Sequence, residues 1–275
     1  MTLKEVLGEA TDYLKKSDVK EADICAWQLM EFVLGVNRSY YFVHSDDIME
    51  SGKKEQYMAL IYRRAKHVPL QYITQKAYFM GHTFYVNENV LIPRLDTEVL
   101  VEEVGKLVKS SDSLLDMCTG SGCIAIVLKL EHDEVKVTGV DVSGEALKVA
   151  CKNGSDLGAD VSFVKSDLFK QVIGKFNIIV ANPPYIRTAV IKELMPEVQD
   201  YEPHQALDGK EDGLYFYRQI ILQAKDFLFE DGCLAFEIGY DQGDDLIKMM
   251  TQADYHNIRV IKDLAGLDRV VIGQR

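Results

Sequence analysis

The tetrapeptide Asn182-Pro183-Pro184-Tyr185 follows directly on the apolar run Ile178-Ile179-Val180-Ala181. An amide or aromatic amine nitrogen is a poor nucleophile because its lone pair is delocalised into the adjoining π system. Two acceptors aimed at its two hydrogens orient it and favour a more pyramidal nitrogen. The Asn182 side-chain oxygen offers one acceptor. The Pro183 carbonyl, on a stretch whose freedom two prolines restrict, offers the other, and Tyr185 adds a flat face for a planar group. Such a site works by positioning and preorganised dipoles, without a strong base. Taken alone, the same four residues also read as a proline-rich turn after a strand.

Upstream lies a second candidate. A short apolar strand ends at Asp116, and Cys118-Thr119-Gly120-Ser121-Gly122 leads into a helix. Glycines at a strand-to-helix turn let the backbone approach a ligand closely. Asp141 ends the next strand, 19 residues after Gly122, where a carboxylate accepts hydrogen bonds from ribose hydroxyls. Dinucleotide and S-adenosyl-L-methionine sites share this pattern. Ala125 stands where a third glycine would complete G-x-G-x-x-G, which counts against a pyrophosphate-bearing nicotinamide cofactor. Asp167 and Leu168, at the end of a third strand, suit the adenine end of the ligand, with Phe169 as a second flank. Arg94, Glu98, Asp208 and Glu211 are candidates for the substrate mouth, and each also reads as a surface ion pair or helix-end charge.

These groups need a frame that brings them together. Residues 1–75 carry three-four apolar spacing (Leu3, Val6, Leu7, Ala10, Tyr13, Leu14, and again from Cys25 to Leu34) and predict a small helical bundle. Residues 76–92 are aromatic and β-branched around Gly81 and predict a β-hairpin linker. From residue 93 to 275 strands and helices alternate, which predicts a doubly wound, mostly parallel α/β sheet with ligands beyond its carboxyl edge. Only Asp263–Asp268 separates the last two strands, too few residues for a parallel crossover, so that pair is predicted antiparallel.

The chain has 275 residues and a net charge of −12. That balance disfavours direct nucleic-acid binding, and the short basic clusters (Lys15-Lys16, Lys53-Lys54, Arg63-Arg64 with Lys66) read as solvated helix faces. Five cysteines without a C-x-x-C pair disfavour a metal site and fit a reducing compartment. No signal core and no apolar run of membrane length stand in the sequence. The expectation is a cytoplasmic monomer with neither metal nor membrane association.

These residues resemble the peptide-chain-release-factor glutamine N5-methyltransferases, the PrmC/HemK family, over nearly the whole chain. The resemblance rests on Asp116 to Ile124, Asp141, Ser166-Asp167, Asn182 to Ile186 and Pro93-Arg94 with Thr97-Glu98. It extends to Ala206 to Gly209 with Glu211 to Leu214, Glu237 to Gly239, and Asp263 to Gly266 with Asp268 to Val271. It implies a class I S-adenosyl-L-methionine-dependent, Rossmann-like domain that methylates the glutamine side chain of the Gly-Gly-Gln motif in class I release factors, leaving S-adenosyl-L-homocysteine. Cys118 to Gly122, Asp141, Asp167, Leu168 and Asn182 would hold the cofactor. Asn182 to Tyr185 would grip the glutamine amide, with Asn182, Pro183 and Tyr185 acting in catalysis, and the helical domain would help dock the release factor. Three positions depart from the pattern. Cys118 and Gln75 replace glycines and Leu95 replaces a proline; Cys118 is expected to need no positive φ. Competing readings are an adenine-N6 methyltransferase on DNA or RNA, a non-catalytic cofactor-binding assembly module, and, more remotely, a nicotinamide dehydrogenase.

Overall fold

The structure is a computed structural model that describes all 275 residues. The chain forms two compact units: Met1–Gln75 together with Met195–Tyr201, and Lys76–Leu194 together with Glu202–Arg275.

The first unit contains α1 (Leu3–Lys16), α2 (Ala22–Leu34), α3 (Arg38–His44), α4 (Ser51–Arg64) and α5 (Leu70–Thr74). Thr2 caps α1 in a reciprocal box with Glu5, which satisfies two of the amide donors a helix start leaves unpaired. The periodic apolar residues of α1, α2 and α4, among them Val6, Leu14, Leu29, Met30, Tyr57 and Ile61, bury in one core. Gln75 caps α5 at φ 56°, so its departure from glycine falls on a left-handed residue. Arg64 departs from the solvated face predicted for its cluster. Its side chain is buried and donates to Glu197 at 2.7 Å, and to the Val68 carbonyl and Cys25 Sγ. Glu197 lies on a short helix, Pro196–Tyr201, that the later chain contributes to this unit, where Tyr201 also donates to the Lys66 carbonyl.

The second unit opens with the hairpin β1 (Ala77–Phe79) and β2 (His82–Phe84), closed by Met80 and Gly81, both at positive φ. A two-residue turn of this kind matches the strand twist. The main sheet holds β3 (Ser113–Met117), β4 (Lys136–Asp141), β5 (Val161–Lys165), β6 (Phe176–Ala181), β7 (Leu228–Glu237), β8 (His256–Lys262) and β9 (Asp268–Gln274) in the order β5-β4-β3-β6-β7-β9-β8. The first five strands along that order run parallel; β9 pairs antiparallel with both β7 and β8, as the short final connection requires. Alternate side chains enter opposite faces. Leu114, Ile178 and Ala235 meet α6 (Leu95–Gly105) and α7 (Cys123–Glu131). Leu115, Ile179 and Leu234 meet α10 (Tyr215–Phe227) and α11 (Gly243–Gln252). The helix α8 (Gly144–Leu157) follows β4, and Pro196–Tyr201 in the first unit is α9. The strand order reverses between β3 and β6, the switch point at which ligands bind in such sheets. No helix is long and apolar enough to cross a membrane.

The first unit carries its own reporter, because Trp27 is the chain's single tryptophan and is buried there. Removing Arg64 leaves the half-buried Glu197 carboxylate with only His67, at 3.7 Å, beside it, and losing one partner of a desolvated pair is destabilising. Arg64→Ala should lower the stability of this unit by about 2–4 kcal/mol, read as an earlier urea midpoint of Trp27 emission.

Candidate active site

Parallel pairing sets Met117 beside Ala181 and Asp116 beside Val180. The glycine turn and the Asn182 tetrapeptide therefore leave the sheet at one edge, and a cavity of about 770 Å³ opens between them, within the range of small-molecule sites. Its lining includes Met117 to Ser121, Val140 to Ser143, Ser166 to Leu168, Asn182 and Pro184. Further parts of the wall come from Asn89 to Leu91, Pro93, Arg94 and Thr97, from Thr188, Ile191 and Lys192, from Pro203 to Ala206 with Asp208 and Lys210, and from Tyr215 and Phe216.

The turn is held from beneath. Asp116 is fully buried; its Oδ2 accepts from Thr119 Oγ1 at 2.5 Å and from the Ala125 amide at 3.2 Å, while its Oδ1 has no partner. Burial pushes its carboxyl up to about 7, against those two donors. Asn153 donates to the Ser121 carbonyl at 2.9 Å and pairs through both amide atoms with the Tyr85 backbone. Gly120 and Gly122 take φ 53° and 80°, and a Cβ on Gly122 would meet Ile126, Ala150 and Phe163 at 3.0–3.1 Å. Asp141 accepts from the Gly120 amide through Oδ2 at 2.9 Å and from the Ser143 amide through Oδ1 at 2.8 Å. Burial raises its pKa, and those backbone donors oppose the rise.

Two expectations at this end need correction. Cys118 adopts φ 64°, so this position does require the left-handed backbone that glycine tolerates and other residues adopt at a cost. Its thiol is pushed well up by burial, reinforced by the charge of Asp141. Phe169 does not flank the cavity. It is buried in the sheet–helix core and stacks on Phe227 at 4.7 Å. The aromatic residues in the wall are Tyr215 and Phe216, neither of which local sequence marked. Leu168 lines the cavity at φ 49°, and Asp167 lines it while paired with Lys170 at 2.6 Å.

At the other end, Asn182 and Pro184 face the cavity, whereas Pro183 and Tyr185 are absent from its wall. Asn182 Nδ2 donates to Glu237 Oε2 at 2.8 Å and to Thr97 Oγ1 at 3.3 Å, and the Tyr185 hydroxyl donates to Glu237 Oε1 at 3.3 Å. Asn182 Oδ1 accepts nothing from the chain, and it is not among the buried atoms that lack a partner. Glu237 ends β7 with only 2% exposure, and burial raises its pKa. Thr97 and Glu237 were not singled out as site groups in the sequence. The signal was present: Glu237 is a carboxylate ending an apolar strand at the ligand edge, the same positional cue that marks Asp141.

The backbone after Tyr185 is clamped by glycines. The Gly209 amide donates to the Ile186 carbonyl at 2.8 Å, and the Gln242 side chain donates to the carbonyls of Tyr185 and Gly213. A Cβ on Gly209 would lie 2.7 Å from Tyr185 Cα, and one on Gly213 would lie 2.4 Å from its carbonyl oxygen. Of the four mouth candidates, Arg94 and Asp208 line the cavity. Arg94 pairs with buried Glu202 at 2.5 Å, and Asp208 accepts from Thr188 at 2.6 Å. Glu98 instead holds the hairpin turn by accepting from the Met80 amide at 2.7 Å, and Glu211 is exposed outside the cavity.

Comparison with known proteins adds to this geometry. The family model for the PrmC N-terminal domain matches residues 5–74, and that for the methyltransferase small domain matches residues 93–197. A solved methyltransferase from Pyrococcus furiosus shares the fold, with a TM-score of 0.56 at 16% identity over 78% of this chain and 98% of that one. The fold and site thus define a class I S-adenosylmethionine-dependent methyltransferase. Two curated relatives are named release factor glutamine methyltransferase: one from Geobacter sulfurreducens, 38% identical over 99% of this chain and 96% of its own length, and one from Leptospira interrogans, 39% identical over 97% and 96%. The chain belongs to the release factor glutamine methyltransferase family.

Two outcomes follow from the turn. Relieving left-handed strain at Cys118 is worth about 1 kcal/mol after the entropy cost of glycine, so Cys118→Gly should raise Tm by ~2 °C in a calorimetric scan. Asp116 binds its proton more readily folded than unfolded between its ordinary value of 3.8 and about 7. The folded state therefore holds more protons in that window, and this residue's contribution to stability falls as pH rises through it. Wild type should lose more Tm between pH 5 and pH 7.5 than Asp116→Asn does; equal slopes would exclude the carboxyl as the source.

Proposed function

We propose that the chain transfers a methyl group from S-adenosyl-L-methionine to the side-chain N5 of the glutamine in the Gly-Gly-Gln motif of class I release factors. The observation that carries this reading is the amide of Asn182. Its nitrogen is committed to Glu237 and Thr97 and its oxygen is left unengaged, while the residue lines the cavity that Asp141 and the glycine turn also line. The full-length relatives bearing that name support the substrate assignment.

The cofactor fits the residues present. Asp141 is fixed through both oxygens by backbone amides and keeps lone pairs for ribose hydroxyls. Gly120 and Gly122 keep the turn free of Cβ atoms, and Leu168 and Phe216 offer apolar walls. When bound, S-adenosyl-L-methionine supplies an electrophilic methyl on a sulfonium, which would yield that methyl to the N5 lone pair and keep the carbon–sulfur bonding pair. Asn182 Oδ1 accepts an amide hydrogen of the substrate glutamine and turns its lone pair toward that methyl; the Pro183 carbonyl, the second acceptor expected from the sequence, belongs to a residue outside the cavity wall. The alkylated nitrogen is then acidic and releases one proton to water, so no general base is required. Tyr185 serves from behind, its hydroxyl anchored on Glu237, with the glycine clamp holding its backbone. The helical unit assists in docking the release factor, and the enzyme works as a cytoplasmic monomer that does not bind nucleic acid directly.

The test is transfer of labelled methyl to a purified bacterial class I release factor, beside one carrying alanine in place of the motif glutamine. Label is expected on the wild-type factor alone, and Asn182→Ala should reduce the rate by ~10²–10³-fold, the usual effect of removing one preorganised polar contact. Label on DNA or RNA and none on the folded factor would instead establish adenine-N6 transfer. Cofactor binding without transfer to either would leave a non-catalytic module.

A further inference from the structure

A carboxylate has acceptors and no donors. Glu237 is buried at the end of β7, and two side chains donate to it: the Asn182 amide nitrogen at 2.8 Å and the Tyr185 hydroxyl at 3.3 Å. Since Glu237 cannot donate, each of the two must. For Tyr185 this fixes only a hydroxyl rotor. For Asn182 it fixes chemistry, because an amide that turns its nitrogen inward must turn its oxygen outward. Thr97 adds a second acceptor on the same side, its hydroxyl oxygen receiving Asn182 Nδ2 at 3.3 Å. A flipped Asn182 would set its oxygen against the carboxylate where water has no access, and would present a donor to the cavity.

The charge on Glu237 is itself supported. Arg269 is buried beside it, held between Asp96 at 3.1 Å and Asp263 at 3.0 Å, and its positive charge opposes the effect of burial on Glu237.

We propose that Glu237, aided by Thr97, is a positioning residue for methyl transfer: it sets the polarity of the Asn182 amide so that an acceptor, never a donor, meets the reacting nitrogen. This rests on the proposed role of Asn182 toward the glutamine amide. Glu237 touches neither substrate nor reacting atoms and acts only through Asn182 and Tyr185.

A polarity-exchange cycle tests it, with steady-state methylation of the release factor as readout. Glu237→Gln can turn either end of its amide to Asn182, so kcat should fall by about 30-fold while both KM values stay within about threefold, the signature of an interaction felt at the transition state. Asn182→Asp faces one carboxylate with another and should be at least as impaired. The double variant Glu237→Gln/Asn182→Asp should recover about tenfold or more over either single change, a coupling expected only of groups in direct contact. The introduced amide can donate inward, and the introduced carboxylate still presents an acceptor outward. A purely structural role for Glu237 gives no such recovery. A folded Glu237→Gln with kcat within threefold of wild type, or a double variant no better than the worse single, overturns the proposal. Should Glu237→Gln not fold, Thr97→Val decides: a several-fold loss in kcat with unchanged cofactor affinity supports it, and unchanged kcat overturns it. A wild-type enzyme that leaves the release factor unlabelled defeats the functional reading itself, and that is seen before any variant is compared.

Discussion

The site depends on one strand pairing. β3 and β6 lie side by side and parallel, with Leu114 opposite Ile178 and Met117 opposite Ala181. Parallel neighbours end at the same edge, so two segments more than sixty residues apart in the chain emerge together. The glycine turn after Met117 and the tetrapeptide after Ala181 become opposite parts of one cavity lining. β4 joins β3 in register on its other side and delivers Asp141 to the same edge, and β7 beside β6 delivers Glu237. An antiparallel arrangement of β3 and β6 would send the two loops to opposite ends of the sheet and leave no shared site.

That edge gathers carboxylates where water is scarce. Burial raises the pKa of Asp116, Asp141, Glu202 and Glu237 alike, and each is tolerated because fixed donors meet it. Asp116 has Thr119 and the Ala125 amide, Asp141 has the amides of its own turn and its neighbour's, and Glu202 has Arg94. Glu237 has the Asn182 amide and the Tyr185 hydroxyl, with a guanidinium nearby. An unpaired buried charge costs far more than one so surrounded. The donors thereby acquire fixed directions, and Asn182 is held with its amide nitrogen on Glu237.

Two of the departures from the family pattern, Cys118 and Gln75, fall where the backbone is left-handed. The physical reason for glycine there is the clash that a Cβ meets at positive φ. Gly209 and Gly213 answer to a different constraint. At Gly209 the backbone of Tyr185 leaves no room for a Cβ, and at Gly213 the Tyr185 carbonyl does the same on top of a positive φ. Strain in the first pair is local and survivable, whereas substitution in the second pair would push directly on the tetrapeptide.

Local pattern carried much of this protein. Apolar periodicity marked the helices of the first unit, β–α alternation marked the sheet, and the six-residue connection at the end required an antiparallel pair. Strand-end positions picked out Asp141 and Asn182, because a polar residue closing an apolar strand is a property of adjacent sequence. Other features were beyond local pattern because they depend on partners distant in the chain. Arg64 read as a surface cation until Glu197, 133 residues later, came to meet it. Phe169 read as a cavity wall until Phe227 drew it into the core, and Phe216 took a place in the wall. The φ of Cys118 is a torsion set by the path from β3 into α7. The direction of the Asn182 amide is fixed only where Thr97, Asn182 and Glu237, brought in by three separate elements, share one buried cluster. Composition and spacing determined which groups this protein possesses and at which edge of its sheet they emerge. Tertiary structure alone decided which way each polar atom points, because hydrogen-bond polarity is settled by the partner and not by the residue.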